Sequence, residues 1–228
     1  PTFWFKEFTV SHWKAVLASG NLNAPLAKSL TVATITTALA LLITAPGAYV
    51  ISRLPKGIRY TLVLALFFTR MFPDVGIALP IAVTFIKWNL LDTNLGLVLA
   101  HLTKVLPFIA WVLVGTFETS PVDLEKAAWV DGADRFQSLV RVVIPLAAPG
   151  LAVAAMLVWL DSWNEFTFAL YLTLSSRTLP LQTYYYIERG NWFQAAAYSA
   201  LLTIPVMLVT FMLQRYLRGS YLSGSLKG

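Results

Sequence analysis

Leu30 to Ile51 is a run of 22 residues without a charged side chain, and Val142 to Leu160 is another of 19. At 1.5 Å per residue, a helix of that length crosses a hydrocarbon layer about 30 Å thick. Backbone polar groups inside such a layer must bond within their own segment, so several runs of this kind dictate a bundle of membrane helices. The charge content agrees: 12% of the 228 residues are charged and 57% hydrophobic. Soluble domains use about 25% charged residues to cover a water-facing surface. The expected fold class is therefore all-α, a polytopic membrane helix bundle.

Three further segments complete the pattern. Tyr60 to Ile86 has ten uncharged residues before Arg70 and twelve after Asp74. It reads as one crossing broken near Pro73, with a short helix at the far interface. Arg70 and Asp74, four apart, are spaced to pair on one helix face. Leu95 to Phe117 spans again with His101, Lys104 and Pro107 inside it, and Ala195 to Leu213 makes the last crossing around Pro205. Asp161 to Phe166 extends the fourth crossing into an apolar patch ending near Leu174, and Ser175 to Gln194 reads as a polar, aromatic loop.

With five crossings the connections alternate sides. Arg53, Lys56, Arg59, Lys126, Arg135, Arg141, Arg215, Arg218 and Lys227 fall on one side; Lys6, Lys14, Lys28, Lys87, Arg177 and Arg189 fall on the other. The richer side faces the cytoplasm, and the C-terminus lies there too. The net charge of +6 thus belongs to membrane-side loops and does not call for nucleic acid. Residues 1 to 28, with Phe3, Trp4, Phe5, Phe8 and Trp13 among lysines, form either an interfacial segment or a solvated lead-in.

Several chemistries are excluded. The chain has no cysteine and only His12 and His101, so disulfides, thiolate sites and clustered metal ligands are not expected. No nucleophile is paired with a base, so no catalytic residue is assigned. No Gly-x4-Gly-Lys-Ser/Thr loop is present to cradle ATP phosphates.

Glu118 to Arg141 is a polar island between two crossings. Ser120 reads as an N-cap, Pro121 as the first helical residue and Asp123 as reaching back to the cap. The helix should run to about Asp131, where Asp-Gly turns the chain. Asp134 with Gln137 three residues on reads as a second capped start. Pro145 need not stop that second helix before it enters the membrane. The small side chains of Ala127 and Ala128 let another surface approach the first helix.

Lys126-Ala127-Ala128-x3-Gly132, followed nine residues later by Val142-x-Ile144-Pro145, resembles the EAA loop of ATP-binding-cassette importer permeases. Met71-Phe72-Pro73, Trp163-Asn164-Glu165 and Gly219 to Gly228 extend the resemblance, over essentially the whole chain, to type I carbohydrate-uptake permeases similar to the maltose one. The resemblance implies a periplasmic lead-in over 1–28 and a transmembrane permease domain over 29–228, with a cytoplasmic coupling helix at about 120–141. It also implies a sixth crossing upstream of Pro1. The location would be the cytoplasmic (inner) membrane of a bacterium or archaeon. Partners would be a second homologous permease, two cytoplasmic ATPase subunits carrying ATP and Mg, and an extracytoplasmic solute-binding protein. This chain itself would bind no cofactor.

Coupling to the ATPases would fall on Glu125, Lys126, Ala127, Ala128, Asp131 and Gly132. Lys126 stands where the family keeps a glutamate that pairs with a basic ATPase residue; either Glu125 substitutes or the pairing is rewired. Asp161, Trp163, Asn164 and Glu165 either line the solute path or bond helix to helix, at roughly 0.6 kcal/mol per contact. Arg70, His101 and Lys104 mark either an acidic solute or internal pairs with Asp74, Asp161 or Glu165. Tyr184, Tyr185, Tyr186 and Trp192 suit contact with the binding protein or plain interface anchoring. An ion-coupled secondary transporter is the alternative function; it would need a coupling-ion site and usually inverted repeats.

Overall fold

A computed structural model describes residues 10–224, with side chains through Met212. Phe3, Trp4, Phe5, Lys6, Phe8 and Lys227 lie outside the described residues, as do the side chains of Arg215 and Arg218.

The long apolar runs become long helices. Helix α1 (Ser11–Ala18) leads into α2 (Asn23–Ser52), a 30-residue span that starts inside the segment read as lead-in. Helices α3 (Lys56–Thr69) and α4 (Asp74–Lys87) meet at a bend of 76°. The 25-residue span α5 (Asn94–Glu118) precedes the polar helices α6 (Val122–Val130) and α7 (Arg135–Ser138). A π-helical turn, Leu139–Val143, joins α7 to the span α8 (Ile144–Trp163). Short helices α9 (Thr167–Leu172) and α10 (Leu179–Glu188) then lead to α11 (Trp192–Gly224). Four helical stretches are long and apolar enough to cross a membrane, five if the bent pair counts as one. The expected five crossings are therefore found among the described residues.

Each departure from the expected layout has a local cause. Pro73 lacks an N–H and pushes its predecessor out of helical geometry; its own backbone is extended, with ψ at 138°. Arg70 and Asp74 thus end on two differently directed helices and do not pair. The segment 175–194, read as a loop, contains α10. That helix starts because Pro180 suits the first turn and Ser29 Oγ accepts the Leu179 N–H at 2.8 Å. Glu165 likewise starts α9, accepting the N–H groups of Phe168 at 2.8 Å and Ala169 at 3.2 Å.

In lipid the drive to bury apolar surface between helices is weak, so close packing and hydrogen bonds hold the spans together. Small residues set the approach of α2 to its neighbours: Ala33, Thr36, Ala40 and Ala48 are buried against α5 and α8. Leu97, Ile109, Leu113 and Phe117 of α5 complete the core. A second cluster, around Val16, Trp163, Leu179 and Tyr198, gathers α1, α8, α10 and α11 at the opposite end from α6.

Gly150 is where α8 meets α5: a Cβ there would collide with the side chain of Thr116, whereas one at Gly115 would meet nothing within 4 Å. We expect Gly150→Val to destabilise the bundle by about 1–3 kcal/mol through overpacking, with Gly115→Ala as the silent control. Thermal unfolding in detergent, followed by size-exclusion recovery, measures the difference.

Candidate functional site

Helix α6 exposes apolar side chains beside Asp123 and Lys126 and buries one charge. Val122, Leu124, Trp129 and Val130 are exposed, while Glu125 is 1% exposed. The Glu125 carboxylate forms an ion pair with Arg53 and accepts the Tyr49 hydroxyl at 2.8 Å. Tyr49 and Arg53 are four apart at the end of α2, so both rise from one face of that span. Arg53 also donates to the Phe117 carbonyl at 2.8 Å, satisfying the C-terminal end of α5. Arg59 of α3 binds Glu118 at 2.5 Å and the Ser52 carbonyl at 3.1 Å. Two arginines thus tie the ends of α2, α3, α5 and α6 into one block.

The helix ends in named hydrogen bonds. Gly132 N–H reaches the Trp129 carbonyl at 3.1 Å and Ala133 N–H the Ala128 carbonyl at 2.9 Å. This is a Schellman end with glycine at φ +90°, where a side chain would be strained. Asp134 then caps α7 as expected: its carboxylate accepts Gln137 N–H at 2.7 Å, and Gln137 reaches back to the Asp134 N–H. The first cap differs. Ser120 and Asp123 do not cap α6, because Pro121, in extended geometry, takes the cap position itself. Asp123 instead meets Lys126 at 3.3 Å on the exposed surface.

Of the expected coupling residues, Lys126, Ala127, Asp131 and Gly132 are exposed and Ala128 is half-buried. Glu125, one of the two alternatives for the pairing with the ATPase, has its carboxylate turned onto its own chain. Sequence reasoning missed Arg53 and Tyr49 as its partners. Their spacing was visible, but the span they would meet was not. An open groove of about 850 Å³ between this block and α7 is lined by Tyr49, Arg53, Lys126, Trp129, Arg135 and Phe136.

The polar residues of the fourth crossing separate into different roles. Trp163 is fully buried, stacks on Trp159 at 5.0 Å and donates to the Leu202 carbonyl at 3.1 Å. Glu165 is buried against His101 at 3.3 Å, and His101 Nδ1 lies 2.7 Å from Ser162 Oγ. Asn164 donates to its own helix, at the Leu160 carbonyl. These three bond within the chain. Asp161 instead faces Lys104 at 3.7 Å, and Lys104 also meets Asp74 at 3.3 Å. Arg70 lies over the Phe108 ring at 5.7 Å. Internal pairing therefore accounts for His101 and Lys104.

The opposite end of the bundle carries the aromatic cluster. Tyr186 stacks on Tyr198 at 5.1 Å and Tyr184 packs edge-on against Phe166 at 5.0 Å. Tyr185 lies between two guanidinium groups, Arg177 at 3.9 Å and Arg189 at 4.0 Å, which sequence spacing had not brought together. Trp192 is exposed. The loop before α10 is held by Asp92, whose left-handed backbone (φ 61°) aims its carboxylate at the N–H groups of Leu174 at 2.8 Å and Ser175 at 3.0 Å. Among the described residues no three His, Cys, Asp or Glu side chains converge where a metal ion would fit.

The family described as the inner membrane component of binding-protein-dependent transport systems matches residues 40–221, from the middle of α2 into α11. This chain belongs to that family. It is a multi-pass membrane protein, and the match takes in both the α6–α7 block and α10. The chain is 31% identical to the trehalose transport system permease protein of Mycobacterium tuberculosis, over 96% of this chain and 82% of that protein. It is also 31% identical to the sulfoquinovosyl glycerol transport system permease protein of Agrobacterium fabrum, over 100% and 82%. Among solved structures it is similar to a chain of a bacterial ABC transporter involved in import of the acidic polysaccharide alginate. There the TM-score is 0.74 at 25% identity, covering 90% of this chain and 79% of that one. A methionine ABC transporter chain shares the fold, with a TM-score of 0.72 at 18% identity.

Asp92 gives this inner-membrane component a pH-dependent clasp. Burial alone raises its carboxyl, but hydrogen bonds from the Ser175 hydroxyl and the Leu174 and Ser175 amides outweigh that and bring it below its ordinary value. A carboxylate lowered by folding stabilises the fold above its ordinary pKa, and that contribution is lost as pH falls through the lowered value. Protection of the Leu174 and Ser175 amides, relative to intrinsic exchange, should hold from pH 7 to about 5 and drop below about 4. Asp92→Asn should lower it already at pH 7. Hydrogen exchange read by mass spectrometry measures both.

Proposed function

We propose that this chain is the permease subunit of an ATP-driven carbohydrate importer. A second homologous permease supplies the other half of the solute pathway, and two cytoplasmic ATPase subunits drive it through residues 122–134. The observation that carries the reading is the buried Glu125–Arg53–Tyr49 cluster beneath an otherwise exposed helix. The exposed side chains of Val122, Leu124, Trp129 and Val130 around the helix offer apolar surface to another protein, and the cluster locks the helix to the end of span α2. A push on α6 is then a push on α2, α3 and α5 together, which is how a shift at a docked helix becomes movement of spans.

The excess of basic residues around this end supports a cytoplasmic orientation, with the C-terminus on the same side. The ATP and Mg belong to the ATPase subunits, and this chain contributes no catalytic group. At the other end, the Arg177–Tyr185–Arg189 stack with Tyr184, Tyr186 and Trp192 offers cationic and aromatic surface to an extracytoplasmic solute-binding protein. A carbohydrate solute is supported by relatives whose names specify trehalose and sulfoquinovosyl glycerol.

Purification of the chain with its native partners tests the proposal. The complex should hydrolyse ATP and carry a saccharide into proteoliposomes only with ATP inside and the binding protein outside. Uptake by this chain alone, driven by an ion gradient, would overturn it. Within that complex, Glu125→Ala should lower uptake at least tenfold relative to ATP hydrolysis, because removing one member of a buried pair costs about 3–5 kcal/mol. Glu125→Gln, which can still accept the Tyr49 hydroxyl, should fall between. Uptake per ATP hydrolysed is the quantity to compare.

A further inference from the structure

The break between α3 and α4 opens a cavity of about 220 Å³, lined among others by Arg70, Phe72, Asp74, Thr103 and Lys104. Lys104 is the eleventh residue of α5, so it sits about 15 Å along that span, well inside the hydrocarbon depth. Asp74 and Asp161 each keep 37% of their side-chain surface exposed there. Half-exposed charges at such depth are not tolerated against lipid; they face protein or a water-filled path. This face of the chain therefore looks into the pathway.

The cluster is also organised toward a particular chemistry. Lys104 is matched by two carboxylates, which leaves those carboxylates with acceptor capacity to spare. Arg70 has no carboxylate within 4 Å among the described residues and lies on the Phe108 ring, its donors available at the cavity. Two cations and two anions sum to zero, so an anionic solute would gain nothing overall and would meet two carboxylates. A hydroxyl-rich neutral ring can donate to Asp74 and Asp161 and accept from Arg70.

Aromatic side chains follow Lys104 along the same helix. Lys104, Phe108 and Trp111 follow one another at i, i+4 and i+7 on α5 and share one face. Phe108 and Trp111 lie 6.1 Å apart, Phe67 props Trp111 edge-on at 5.4 Å, and Trp111 is 49% exposed. Sugar rings present apolar C–H faces as well as hydroxyls, and an exposed aromatic ring beside carboxylates suits both.

The geometry points to a solute subsite on this chain, formed by Arg70, Asp74, Lys104 and Asp161 with Trp111, that takes a neutral saccharide ring. The inference rests on the importer reading, and it assigns part of the solute recognition to this permease rather than wholly to its partner.

The test uses the complete complex in proteoliposomes and whichever of trehalose, maltose or cellobiose its binding protein retains. ATP-driven uptake of that sugar by the wild type checks the importer reading separately, before any variant is made. Asp74→Asn and Trp111→Ala should each lower sugar carried per ATP hydrolysed by about tenfold, the size of one charge-assisted hydrogen bond, with binding-protein-stimulated hydrolysis kept within about twofold. Unchanged sugar per ATP overturns the subsite, and so does an equal loss of uptake and hydrolysis, which marks a structural role. Preferred uptake of an acidic disaccharide, di-galacturonate, over the neutral probe overturns the solute class. A diazirine derivative of the same neutral sugar, photolysed on the wild-type complex, should label residues 67–111 and be displaced by the parent sugar. Absence of label in that segment overturns the proposal even if a variant fails to assemble.

Discussion

The ion pair between Arg53 and Glu125 is the constraint on which the water-facing end depends. A carboxylate buried in that position would be prohibitively unstable alone, and the arginine that neutralises it is also needed by the last carbonyls of α5. Arg53 therefore does two jobs with one planar fork of donors, a task for which a lysine lacks the geometry. Held from beneath by that charge pair, α6 leaves apolar Val122, Leu124, Trp129 and Val130 exposed alongside charged Asp123 and Lys126.

A second constraint is the placement of charge at depth. The chain has few charged residues, and several of those in the spans answer each other. His101 and Glu165 are sealed in the core, where they fix α5 against the α8–α9 corner. Lys104, Asp74 and Asp161 are gathered where the α3–α4 span is broken. The break and the charges belong together: Pro73 redirects the chain, and the space it leaves is what allows side chains with hydration shells to sit between helices. The outer loops are tied by simpler means. Lys28 donates to Ser176, and Asp92 clasps the loop before α10.

Much of this was legible in the sequence wherever the cause is local. Crossing lengths, the break at Pro73, the Asp131-Gly132 turn and the Asp134–Gln137 capping box all follow from a few adjacent residues. What depends on a distant partner is legible only in part. The internal pairs open to His101 and Lys104 are found, with Glu165 and with Asp74 and Asp161, whereas the Arg70–Asp74 pair suggested by spacing is parted by the bend at Pro73. Ser120 had the chemistry of a cap, and the fixed φ of Pro121 displaced it. For Trp163, Asn164 and Glu165 the sequence leaves a solute path and helix-to-helix bonding equally open; tertiary structure turns the first and last inward and bonds the middle one to its own helix. The direction of Glu125 is the same problem, because helical phase alone could not tell which face of α6 meets α2.

The π-helical turn at Leu139–Val143 carries a consequence of its own. It interposes one extra residue in the helix that runs from α7 into α8, and in an α-helix one residue corresponds to about 100° of rotation. The two halves are thus out of phase: the face that α7 turns toward α6 is not continuous with the face that α8 turns toward α2 and α5. Closing that turn into ordinary α-helix would exchange its i→i+5 hydrogen bonds for i→i+4 ones and rotate the α8 span about its own axis without changing any side chain. The joint is a screw rather than a hinge, positioned where the water-facing block hands over to the membrane.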